Sequence, residues 1–106
     1  MKKINESEVA FKYVTSGPKY LFNDPGFSGG IAYLKPGDEI KPHMHDDEAE
    51  IFYFIDGGPE FIAEAGTYAA KAGDAFQVEA GEKHAIKNNT GETARMFFLK
   101  VKRGSK

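Results

Sequence analysis

The chain has three histidines, His43, His45 and His84, and their placement is where chemistry can be sought first. His43 and His45 are separated by one residue. On a β-strand, residues i and i+2 project from one face, so both imidazoles can converge on one point. The polar residues Asp46 to Ala49 follow and read as a turn, after which Glu50 opens an apolar strand. A hairpin there carries Glu50 back beside His45. His84 follows the turn Ala80 to Lys83 and leads into a further strand, which can bring a third imidazole to the same place. Three neutral imidazoles and one carboxylate form a donor set of intermediate hardness. It suits Fe, Mn, Ni, Co, Cu or Zn as a divalent ion, and the residue types do not choose among them. On an octahedral ion, four such ligands leave two positions for water, dioxygen or a chelating substrate. Taken alone, the His-x-His pair is equally consistent with two surface histidines of no function. Asp46, Asp47 and Glu48 read as solvated turn charges, with Glu48 a substitute ligand if the turn is one residue tighter.

These residues have to be positioned by short strands. Turn formers recur at close intervals: Ser16 to Pro18, Asn23 to Gly26, Ser28 to Gly30, Lys35 to Asp38, Asp56 to Pro59, Ala72 to Asp74, Ala80 to Glu82 and Asn88 to Gly91. Each offers a residue that accepts positive φ or pre-sets a turn. Most of the intervals are too short for independent helices. Ile31 to Leu34, Glu50 to Ile55, Ala75 to Val78 and Arg95 to Lys102 read as strands, rich in aromatic and β-branched residues. Ala63 to Lys71 is alanine-rich, but Gly66 in its middle favours strand and turn over helix. If Glu50 points inward, alternation puts Phe52 and Phe54 inward with it and Tyr53 outward. Tyr33, Phe52, Phe54, Phe76 and Phe98 are expected to pack in the core. Many short strands at this spacing predict an all-β sandwich or barrel.

The 106 residues fit one domain, 1–106, with a modest core and Arg103 to Lys106 frayed at its end. The formal net charge is −2 with no long run of one sign, so neither nucleic acid nor an anionic membrane is an expected partner. There is no cysteine, which excludes disulfides, thiolate catalysis and Cys-based metal sites. The N-terminus turns polar after two lysines and carries no apolar signal region, and no apolar run approaches the ~20 residues of a membrane span. A cytoplasmic protein is the expectation.

The same residues resemble the cupin superfamily. Its first motif, Gly-x5-His-x-His-x3/4-Glu-x6-Gly, is matched at every fixed position by Gly37, His43, His45, Glu50 and Gly57. Its second motif, Gly-x5-Pro-x-Gly-x2-His-x3-Asn, is matched by Gly73, Gly81, His84 and Asn88, with Glu79 where the motif has proline. That proline shapes a turn and binds no metal. The motifs span 37–57 and 73–88, about half of the chain, with a 15-residue gap between them. The resemblance implies a small single-domain antiparallel barrel, the double-stranded β-helix or jelly roll. It implies a divalent metal held inside by His43, His45, Glu50 and His84. It also implies a homodimer, with Glu8 to Val14 the candidate for edge pairing. Gly57, Gly73 and Gly81 then serve as turn residues, and Asn88 satisfies turn backbone.

A fold does not fix a function. One reading is a metal-dependent enzyme of the dioxygenase, lyase or isomerase type, acting on a small organic acid, phenolic or sugar derivative. A second is a non-catalytic sensor or binding module for such a metabolite. A third is a structural barrel, which a complete ligand set disfavours. No catalytic acid or base is assigned. Tyr33, Tyr53 and Arg95 are candidates, with Arg95 either clamping a substrate carboxylate or simply solvated, and Tyr53 expected to face outward.

Overall fold

Alternation along two long strands shows how the sequence closes into a barrel. In Glu48–Asp56, Glu50, Phe52 and Phe54 are buried while Tyr53 is 48% exposed. In Ala94–Lys102, Ala94, Met96 and Phe98 are buried and the residues between them are not. Each strand therefore turns one apolar face inward, and two such faces must cover each other.

The computed structural model describes residues 1–13 and 15–103. A 3-10 turn at Glu6–Glu8 precedes nine strands: β1 (Gly17–Asn23), β2 (Phe27–Leu34), β3 (Glu39–His43), β4 (Glu48–Asp56), β5 (Glu60–Ala63), β6 (Gly66–Ala69), β7 (Ala75–Val78), β8 (His84–Lys87) and β9 (Ala94–Lys102). Five form one sheet in the order β1-β2-β9-β4-β7, and four form the other in the order β3-β8-β5-β6. All pairings are antiparallel. This is the double-stranded β-helix that the motifs imply. Phe52, Phe54, Met96 and Phe98 from the first sheet meet Phe61 and Ile86 from the second in one core. Phe61 stacks on Phe76 with centroids 4.2 Å apart. No helix of the described residues is long and apolar enough to cross a membrane.

The structure departs from several expectations. No hairpin follows His45. β3 pairs with β8, and β4 pairs with β7 and β9, so residues 44–47 carry the chain from one sheet to the other. A hairpin would have left β4's aromatic face without the opposite sheet to cover it. β1 lies outside the expected strands. It is an edge strand, where Pro18 costs no ladder donor. The stretch 63–71 forms the end of β5, a turn and β6, as strand and turn. Glu8 to Tyr13 forms no strand. Phe11 packs edge-on against Tyr33 instead, at 5.0 Å, on the outer face of the five-stranded sheet. Val14 lies outside the described residues. Arg103 is tied down rather than frayed. Its N–H donates to Asp47 O at 2.7 Å and its guanidinium grips Glu79. Residues 104–106 lie outside the described residues.

Candidate metal centre

β3 carries Pro42, which has no N–H to donate, and the β3–β8 register shifts between Ile40 and His43. The shift sets His43 directly across from His84, the first residue of β8, with ring centroids 4.3 Å apart. His45 lies just beyond the strand rather than on it. Its carbonyl accepts the N–H of Gly81 at 2.8 Å, which ties the end of one motif to the turn of the other. Glu50 comes from β4 in the opposite sheet. The two sheets thus close on one point at one end of the barrel.

All four residues that the sequence marked as candidate ligands meet there. Glu50 Oε1 lies 3.0 Å from His84 Nε2, 3.2 Å from His45 Nε2 and 3.7 Å from His43 Nε2. One donor atom from each residue lies within 4.8 Å of the other three. Donors about 2.1 Å from one ion stand about 3–4 Å apart, so the spacing fits a single divalent metal. The tautomers fit as well. His43 Nδ1 lies 2.9 Å from Lys41 O and His84 Nδ1 lies 3.0 Å from Glu82 O. A carbonyl only accepts, so Nδ1 is the donor in each ring, which leaves Nε2, the nitrogen turned toward Glu50, as the one a metal would take. Ligating histidines are oriented in this way by backbone or carboxylate acceptors.

The electrostatics match. Burial alone would raise the Glu50 carboxyl. The imidazoles of His43 and His84 beside it, together with the charge of Lys100, outweigh it and hold the group at about 2. The Glu50 carboxylate beside it raises His43 above its ordinary value, against burial. Glu48 is not part of the cluster. It approaches the far nitrogen of His45, Nδ1, at 3.7 Å and also meets Lys102 Nζ at 3.7 Å. It stands behind His45 rather than taking the place of a member of the cluster.

The site opens into a cavity of about 740 Å³ lined by His43, His45, Glu50, Tyr20, Phe98 and Lys100, with Lys12 and Lys41 among the further lining residues. Lys100 was not among the sequence candidates. It faces Glu50 directly in the β4–β9 ladder, and its Nζ donates to Tyr20 Oη at 2.8 Å. Its signal lay in the phase of β9, where Met96, Phe98 and Lys100 fall on one face. Burial opposes the Lys100 charge, but the Tyr20 hydroxyl and the carboxylates of Glu50 and Glu48 raise its affinity for the proton.

The three other candidates lie elsewhere. Arg95 and Tyr33 face each other across β2 and β9, out of phase with the buried Ala94 and Met96, hence outside the barrel. Arg95 donates twice to Asp56 Oδ2, at 2.7 and 2.9 Å, so it is neither a clamp at the cavity mouth nor simply solvated. Tyr33 Oη bonds to Glu6 at 2.9 Å, so Tyr33 belongs to the outer face and not to the core. Tyr53 faces outward as expected. Asn88 is buried and bridges backbone. Its Nδ2 donates to Leu34 O and Glu92 O, and its Oδ1 accepts from Thr90. Glu79, where the motif has proline, stands in a turn that Glu82 pins through its carboxylate to the Glu79 N–H at 2.8 Å.

A family model described as a cupin domain matches residues 30–100. Over 68 residues the chain is 38% identical to the oxalate-binding protein of Thermotoga maritima, covering 64% of this chain and 55% of that protein. The chain spans about half the length, or less, of the curated relatives it matches. Among solved structures it superposes on KdgF from Halomonas sp. with a TM-score of 0.80 at 18% identity, covering 97% of this chain and 96% of that one. A predicted oxalate decarboxylase from Thermotoga maritima gives 0.71 at 21% identity, covering 95% and 99%. At these identities the structural likeness speaks for the fold alone.

Proposed function

The chain belongs to the cupin domain family, and from that membership we propose that it is a metal-dependent enzyme acting on a small organic acid. The observation that carries this reading is the convergence of three Nε2 atoms on Glu50 Oε1 at the inner end of an open cavity. His43, His45, Glu50 and His84 would hold one divalent ion. Bound there, it supplies a Lewis acid for a carboxylate, enolate or phenolate oxygen. The protein's own contribution is to fix the imidazole tautomers, to wall the site with Phe52 and Phe98, and to leave one side open to the cavity.

A relative named as oxalate-binding supports a carboxylate over a sugar or a phenol as the ligand class. Its name also favours a second reading, a non-catalytic carboxylate binder. Pairing of two copies belongs to the same proposal. Light scattering checks it, with a mass near twice 11.7 kDa expected.

The test is elemental analysis of the purified protein beside His43→Ala and His84→Ala. About one equivalent of metal is expected in the parent and little in either variant. Substoichiometric metal in all three overturns the metal reading. Incubating the loaded protein with oxalate, malonate, catechol and a sugar acid then separates the two readings. Oxygen uptake marks a dioxygenase, and a new product by NMR without oxygen uptake marks a lyase or isomerase. Tight binding with no product marks a binder.

A further inference from the structure

Lys100 is a cation inside the barrel that takes part in none of the ion pairs among the described residues. Among the described residues its hydrogen-bond partner is the Tyr20 hydroxyl, at 2.8 Å. It lies on the inward phase of β9, across from Glu50, and is half-buried where Lys12 and Lys41 at the same cavity are exposed. A half-buried ammonium is costly unless something negative compensates it. In the free protein Glu50 and Glu48 supply that field. Around the cavity Lys12, Lys41 and Lys100 balance Asp38, Glu39 and Glu50, so a divalent ion held at Glu50 would leave two positive charges in excess. Such a pocket selects an anion, and a dianion best.

We infer that Lys100, oriented by Tyr20, is the recognition point for the second anionic group of a small dicarboxylate whose first group lies at the metal centre. Tyr20 is fitted to hold the ammonium. Its ring packs edge-on against Phe98 at 5.1 Å, so its hydroxyl is placed by the barrel wall. The inference rests on the metal reading above and deepens it. It assigns the specificity of that site to a residue outside both sequence motifs.

The experiment uses the cobalt(II)-loaded protein and reads binding by calorimetry and by the visible d–d spectrum. Malonate is compared with malonamate, which keeps one carboxylate and replaces the other by a neutral amide. The parent should prefer malonate by at least tenfold more than Lys100→Met does. Lys100→Arg should retain most of the preference, and Tyr20→Phe should lose part of it. Equal preference in the parent and in Lys100→Met, with cobalt bound to both, overturns the role of Lys100 and leaves the metal site standing. Failure of the parent to bind cobalt overturns both.

Discussion

Glu50 and Lys100 occupy facing positions of the β4–β9 ladder, and both side chains point into the barrel. One ladder position thus sets the candidate ligand carboxylate beside an ammonium. Nearest neighbours on one face of an antiparallel pair are within reach of each other's charge. Lys100 accordingly helps keep Glu50 ionised, and Glu50 helps keep Lys100 protonated.

Charge removal at this pair should act in opposite directions on the metal. Lys100→Met takes a cation from beside a divalent ion and is expected to tighten metal binding by up to about tenfold. Glu50→Gln removes the anionic ligand and is expected to weaken it by about a hundredfold or more. Competition with a chromophoric chelator measures both. A loss of affinity in Lys100→Met would contradict the arrangement.

Acidity should move the free and metal-loaded proteins differently. Glu50 is held at about 2, below its ordinary 4.5, so its contribution to stability is present above about 4.5 and is lost as pH falls toward 2. His43 is raised above its ordinary 6.5, so its contribution is complete below 6.5 and is lost as pH rises through the raised value. The metal-free protein should therefore gain most from this cluster between about 4.5 and 6.5. Metal needs neutral imidazoles, so the extra stability it confers should instead grow as pH rises through that range. Urea denaturation with and without metal, from pH 4 to 8, reads both trends.

The core makes a separate prediction. Phe61 is 1% exposed and packs against Phe52, Phe54 and Phe76. Phe61→Ala should cost about 3–5 kcal/mol in urea unfolding. Phe61 also stacks near His84, with centroids 6.3 Å apart, so metal affinity should fall with it. Tyr53→Ala, on the outer face, should leave metal affinity unchanged.

Two glycines separate backbone strain from crowding. Gly37 has φ 89° with nothing within 4 Å of an added Cβ, whereas Gly57, at φ 86°, would set that carbon 2.6 Å from Ala94 Cα. Gly37→Ala should cost about 1–2 kcal/mol from the positive φ alone. Gly57→Ala should cost clearly more. Thermal unfolding of the two variants side by side gives the comparison.

The local pattern was enough for much of this protein. Turn residues at close intervals and two-residue alternation in 50–55 and 95–102 determined an all-β barrel, because a strand with one apolar face has to bury it. The spacing of His43, His45, Glu50 and His84 marked the four residues that the fold brings together. Three things waited on the tertiary structure, since each depends on which strands become neighbours. The link after His45 crosses between sheets, a pairing choice that the alternation does not encode. Arg95 faces Asp56 outside the barrel, because the buried Ala94 and Met96 set the phase of β9. Lys100 lies 50 residues from Glu50 along the chain. Only the β4–β9 register puts its charge at the site, and no motif spacing carries that register.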